Sequence, residues 1–316
     1  MSQIVENFEK EAPESRSLFY SCLERLWKNR LAKVCIVVIA AYFLLTIFLY
    51  AADVFNFQTA PAKWDQKTGA EYEPPNMKNP FGTDYLGRSV LRKTLYGAKV
   101  SMTVAFFASF LSFAIGVSLG SLAGYFRGLL DDIVVWLLTT FSAIPYILLI
   151  LAFALVLKER AINLKWLGLG QLSLAGIPAI CIAIGLTGWV GICRLVRAEV
   201  MKLKSCNFVV AAKAYGCSDI AIIFRHIIPN LSYLIIITFA IRFVYYIHAE
   251  AILGFIGLGV KNAPSWGSMI DMARQDLTKG VWWEMTAASA AIFLISLALN
   301  CFADCLKNSL DPKFRN

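Results

Sequence analysis

The chain has 316 residues, 58% of them hydrophobic and only 16% charged, with a mean hydropathy of +0.62. A soluble domain carries about a quarter of its residues as charges, so this composition excludes an ordinary soluble enzyme and points to a polytopic membrane protein. The net charge of +9 fits lysines and arginines flanking membrane spans better than a nucleic-acid-binding surface.

Six runs free of Asp, Glu, Lys and Arg reach or approach the about 20 apolar residues a bilayer requires. They cover 34–52, 100–126, 133–157, 166–193, 226–241 and 285–303, the fifth continuing past one charge, Arg242, to 249. The expected layout is a tail over 1–33, a first span over 34–52 and a loop with a surface helix over 53–99. A five-helix core over 100–305 follows, containing a basic connecting segment over 206–230, and then a tail over 306–316.

The N-terminal tail shows no cleavable signal peptide: it is mixed in charge, and the first apolar run is long and lacks a small-residue cleavage site. Arg25, Lys28, Arg30 and Lys33 crowd the first span, and the positive-inside rule places that end in the cytoplasm. Six spans put the C-terminus there too, together with the basic stretch 194–225. The loop 53–99 then falls outside, although it carries seven lysines and arginines. All eight cysteines, Cys22, Cys35, Cys181, Cys193, Cys206, Cys217, Cys301 and Cys305, avoid the expected outer loops. That suits reduced thiols, and with only two histidines the chain offers no metal-ligand pattern.

Within the loop, Thr83 or Asp84 can cap a helix whose face carries Leu86, Val90, Leu91 and Leu95, an expected surface helix before the second span. The second span places Gly116, Gly120 and Gly124 on one face, which allows another helix to approach its backbone closely. The stretch Gly116 to Gly120 formally matches a nucleophile elbow, but it has neither the strand-to-helix turn nor the His that chemistry needs. Ala143-Ile-Pro145 interrupts the third span and Gly176-Ile-Pro178 the fourth; each is read either as a bend lining a path or as irregular packing. Arg242 in the fifth span either faces a translocation path or an internal carboxylate, or snorkels to headgroups. Glu250 follows near the outer end. Pro145, Arg242 and Glu250 are the candidates for a translocation path.

The connecting segment reads as two short helices. Phe208 to Tyr215 forms the first, Gly216 ends it in the left-handed conformation, and Ser218 caps the second with Asp219 at its positive end. Ile220, Ile223, Phe224 and Ile227 are expected as one apolar stripe ahead of Pro229, which opens the fifth span. Packing on its own bundle explains the stripe but not the basic character of both helices.

This segment, with Ala211-Ala212 followed by Gly216 and then Pro229, resembles the loop by which permeases of binding-protein-dependent ABC importers dock on their ATP-binding subunit. Further stretches are similar to the dipeptide/oligopeptide type, in its second permease subunit: 79–88, 186–189, 194–199, 250–259, 264–267 and 310–312. The resemblance implies an all-α type I importer permease fold with six transmembrane helices in a bacterial inner membrane, both termini cytoplasmic, and no catalytic residue. It implies no cofactor on this chain, with ATP and Mg on partner ATPase subunits. The implied partners are a homologous second permease, two ABC ATPase subunits, an extracytoplasmic peptide-binding protein and membrane lipid, with no nucleic acid. It assigns ATPase coupling to Phe208, Ala211, Ala212, Gly216, Ser218, Asp219, His226 and Pro229. Two positions depart from the pattern: Val210 stands where the family has Glu, and Ser89 where it has Asp. A permease for nickel or antimicrobial peptides keeps the mechanism and changes the cargo. A secondary transporter calls for intramembrane carboxylates and inverted repeats, and a membrane enzyme for a catalytic constellation; the sequence displays neither.

Overall fold

The computed structural model describes residues 26–55, 61–158, 161–163, 171–173, 176–260 and 263–310. Most of both expected tails, Cys22, most of the closing 310–312 motif and the start of the fourth apolar run lie outside them. Helix α1 covers Arg30–Val54, α2 Val90–Phe126, α3 Leu129–Ala143 and α4 Tyr146–Lys158. A short antiparallel hairpin, β1 (Ala161–Asn163) with β2 (Gln171–Ser173), leads to α5, Ile177–Leu203. Helix α6 (Asn207–Ala214) and α7 (Asp219–Ile222) form the helix pair. A π-helical turn (Ile223–Ile227) joins α7 to α8, Ile228–Phe255; α9 (Trp266–Asp276) and α10 (Trp283–Leu310) complete the chain.

Five helices are long and apolar enough to cross a membrane, and α3 and α4, bent by 95° between them, reach that length and apolarity only when taken together as one span. The bend falls at Ile144-Pro145, where proline supplies no N–H and disfavours helix in the residue before it. Pro178 behaves differently. It sits in the first turn of α5 behind Gly176, where its missing N–H costs nothing, so it opens that span and does not bend it. The fourth span therefore begins at Ile177, well after the apolar run starts, and ends among its own basic residues at Leu203.

Helix α2 has 37 residues, about 55 Å at 1.5 Å per residue, against a hydrocarbon core of about 30 Å. It therefore overshoots the membrane, with the 61–89 loop at one end and the helix pair at the other. The separate surface helix expected before it is absent. The Asp84 carboxylate instead takes the N–H groups of Leu86 and Arg88, each at 2.9 Å, which holds 84–88 in a turn until Ser89 caps α2.

The glycine face of α2 packs on α5. A Cβ on Gly116 would lie 2.8 Å from Ile192 Cβ, on Gly120 2.7 Å from the Cys193 carbonyl, and on Gly124 2.7 Å from the Arg197 carbonyl. Three successive turns thus bring backbone against backbone. Gly185 and Gly188 of α5 complete the seam against Leu111 and Ser112 of α2. Substituting Gly120→Val drives a side chain into the α5 backbone, which cannot give as a flexible side chain can. The expected cost is about 1–3 kcal/mol or more, read as a lower unfolding midpoint of the detergent-solubilised protein, with Ser118→Val as the control at an exposed position of the same helix.

Candidate functional site

The helix pair is built as its capping residues dictate. Gly216 adopts φ +80° with nothing close to it, and the Ser218 hydroxyl accepts the Ala221 N–H at 3.3 Å. Val209, Ala212, Ile222, Ile223 and Ile227 pack inward with Tyr125 of α2 and Val196 and Val200 of α5. Phe208, Val210, Ala211, Tyr215, Ile220 and Phe224 stay exposed. The expected four-residue stripe is therefore split: Ile223 and Ile227 belong to the bundle, while Ile220 and Phe224 remain on the open side. Phe224 is 66% exposed and Val210 57%. Lys213 and Arg225 lie exposed among them.

Pro229 does not start a new helix. It offers no N–H to the Arg225 carbonyl, and the chain widens into a π turn in which the Ile228 N–H reaches back to Ile223 O. Asn230 Nδ2 donates to the His226 carbonyl at 2.6 Å. The result is one unbroken helical rod from Asp219 to Phe255. His226 itself is half-buried, and its carbonyl is the atom engaged.

Arg242 lies midway along this rod, half-buried against Gly191 of α5, and among the described residues no carboxylate is within ion-pair reach. Its guanidinium lies 5.8 Å from the centroid of the Tyr245 ring, which stacks at 5.0 Å on Tyr146, next to the exposed Pro145. Arg242 and the α3–α4 bend thus share one neighbourhood. It adjoins a small groove lined by Tyr146, Ile150, Tyr245, His248 and Leu253. Glu250 stands apart. It is fully buried, with Oε2 accepting from Ser101 Oγ at 2.7 Å, and Ser101 also accepts the Trp266 N–H at 3.3 Å. Below it, Gly254 and Gly267 bring α8 and α9 into backbone contact.

The 61–89 loop is pinned by buried charges. Lys93 Nζ donates to Glu284 Oε1 at 2.6 Å and to Asp84 Oδ2 at 3.2 Å, and Arg88 forks onto the same Asp84 at 2.8 and 2.7 Å. Burial alone would raise the Asp84 carboxyl, but the Lys93 charge and the Arg88 hydrogen bonds outweigh it and hold it below the usual range. Trp283 Nε1 donates to the Thr83 carbonyl at 2.9 Å, and Tyr72 donates to Asp276 at 2.8 Å. At the other end of the bundle Arg197 grips Asp131 at the start of α3 with two bonds, at 2.5 and 2.7 Å.

Residues 116–316 match the family described as binding-protein-dependent transport system inner membrane component. The chain belongs to this family. It is 32% identical to the dipeptide transport system permease protein DppC of Bacillus subtilis, over 98% of this chain and 91% of that protein. The oligopeptide transport system permease protein OppC of the same organism is 30% identical, over 97% and 93%. The glutathione transport system permease protein GsiD of Escherichia coli is 32% identical, over 86% and 85%. The chain is thus a multi-pass inner-membrane component of a multisubunit transporter.

In this permease six of the eight residues expected to couple lie in the helix pair and its turn, while His226 lies in the π turn and Pro229 in the first turn of α8. The three path candidates do not form a single site, because Glu250 is enclosed away from Arg242 and Pro145. Sequence reasoning missed Tyr125, Tyr146, Tyr245 and the Lys93–Glu284 pair. Only a charge inside an otherwise apolar helix signalled the last of these.

Removing Lys93 strands the buried Glu284 carboxylate and leaves Asp84 to Arg88 alone, so Lys93→Ala is expected to cost about 3–5 kcal/mol, measured as the unfolding midpoint in detergent. Because the folded Asp84 carboxyl lies below its unfolded value, its contribution is present at neutral pH and is lost as pH falls below about 4. A pH series of unfolding midpoints should show that acid limb, and Asp84→Asn should flatten it.

Proposed function

We propose that this chain is the permease subunit of an ATP-driven importer of di- and oligopeptides. It forms half of the translocation pathway with a homologous second permease. The exposed face of its helix pair receives one of two ATPase subunits, which carry ATP and Mg, and a separate extracytoplasmic binding protein delivers the cargo. The charges around the first span support a cytoplasmic position for the helix pair and both termini. The names of the relatives support a short peptide as cargo.

One observation carries the coupling reading: Phe208, Val210, Ile220 and Phe224 are left uncovered on a pair whose other side is fully packed. These side chains lie beyond the membrane-crossing part of α8, where water would meet them. Large exposed apolar side chains grouped on one surface mark a protein interface. Val210 makes that interface apolar where the family pattern it resembles would place a carboxylate, so recognition rests on shape and burial more than on charge pairing. The pair transmits work only if it contacts the two states of the ATPase differently.

Phe224→Asp tests this. The side chain is exposed, so the folded subunit and its membrane insertion should be unchanged, while ATPase subunits are lost on co-purification. Uptake by the reconstituted complex of a defined mixture of di- to pentapeptides, read by mass spectrometry, is expected to fall at least about tenfold, as for loss of an interface anchor. Normal uptake by Phe224→Asp overturns the coupling reading. Uptake of nickel in place of every peptide by the unaltered complex overturns the cargo.

A further inference from the structure

The helix pair is fastened to the rest of the bundle by one side chain that the coupling reading does not use. Tyr125 is the penultimate residue of α2 and only 3% exposed. Its hydroxyl donates to Asp219 Oδ1 at 2.6 Å, at the first residue of α7. Its carbonyl accepts from Lys204 Nζ, in the residue that caps α5, at 2.5 Å, and the same ammonium lies 5.1 Å from the Tyr125 ring centroid. Asp219 is also approached at 4.0 Å by Lys213 of α6. Tyr125 belongs to the same buried apolar cluster as Val209 and Ala212 of α6 and Ile222 of α7. One residue at the end of α2 therefore bonds to the residue that caps α5 and to the start of α7, within the cluster that seats both helices of the pair.

We propose that Tyr125 is a positioning residue for coupling: its hydroxyl locks the start of the α7–α8 rod to α2, so that displacement of the pair moves the bundle and not the pair alone. The inference rests on the coupling reading above. Its physical basis is the difference between the two kinds of contact at this joint. Apolar packing between helices resists separation but permits sliding, because it is non-directional. A hydroxyl-to-carboxylate bond at this length is short, charge-assisted and directional, and it fixes register. Elsewhere the pair meets the bundle through the apolar side chains of Val209, Ala212, Ile222 and Ile223.

Tyr125→Phe removes the hydroxyl while leaving the ring packing and the carbonyl that Lys204 holds. The unaltered and variant chains are reconstituted with the partner permease, both ATPases and the binding protein. Peptide uptake per ATP hydrolysed should fall about tenfold, while ATPase retention and ATP hydrolysis stay within about twofold, as for loss of one hydrogen bond to a charged group. Tyr125→Phe with Asp219→Ala should be no worse than the more damaging single change. An unchanged ratio in Tyr125→Phe, or additive losses in the double variant, overturns the lock. Loss of ATPase retention in Tyr125→Phe also overturns it, since the hydroxyl then shapes the docking face and does not transmit motion. Normal uptake by Phe224→Asp is the distinguishable failure of the coupling reading itself, and this inference falls with it.

Discussion

The backbone-to-backbone seam between α2 and α5 is the constraint on which the other contacts depend. Lipid tails are as apolar as leucine, so a helix pair in a bilayer gains little from burying apolar side chains and must gain from close packing and polar bonds. Gly116, Gly120 and Gly124 supply the first by leaving room for the α5 carbonyls. With α2 and α5 fixed in register, each end of α2 becomes a firm platform. One end holds Lys93 at the charge cluster of the loop, and the other holds Tyr125 against the helix pair.

Polar bonds then fasten the remaining elements at the ends of the bundle, with few in the middle. Asp84 and Glu284 converge on Lys93, Lys99 meets Asp53 of α1, and Arg197 meets Asp131 of α3. All but the Asp84–Lys93 pair join residues far apart in sequence. Buried ion pairs recover their desolvation cost only with good geometry, and the Asp84 site has it, with donors on both carboxylate oxygens. Their role here is specification: an apolar helix could slide or rotate in lipid at little cost, whereas a buried charge with one available partner cannot.

The spans were legible because a bilayer demands long charge-free runs, and the helix pair because Gly216 and Ser218 carry local capping information. What failed depended either on local turn chemistry or on partners distant in sequence. The surface helix expected after Thr83 or Asp84 was right in reading Val90, Leu91 and Leu95 as helical but wrong for Leu86. It could not foresee that Asp84 would capture the N–H groups of Leu86 and Arg88. Hydropathy extended the fourth span back to 166 because apolar residues precede Pro178, while that proline and Gly176 set the actual start. Arg242, expected to face a path or an internal carboxylate or to snorkel to headgroups, is half-buried mid-helix on Gly191, an accommodation that needs a neighbour without a side chain. The split of Ile220 and Phe224 from Ile223 and Ile227 follows from the inward packing on α2 and α5, which no one-dimensional periodicity contains.

The unbroken rod from Asp219 to Phe255 changes what the proposed coupling requires. Had Pro229 broken the helix, the pair could swing on a hinge and its motion would need relaying to α8. The π turn removes that freedom: α7 is the end of α8, and a push on Phe224 is a push on the span. The far end of the rod is held by Glu250 on Ser101 and by the backbone contact of Gly254 with Gly267. A rod held at that end and pushed at the other tilts, taking the end of α2 with it through Tyr125, and the parts between move in proportion to their distance from the fixed end. Arg242 and Tyr245 lie between, against the bend at Pro145, where α3 and α4 meet at 95°. The bend is the one place in this span where the helix backbone is already open. On the proposed reading it is therefore where tilting of α8 is most readily converted into a change of aperture.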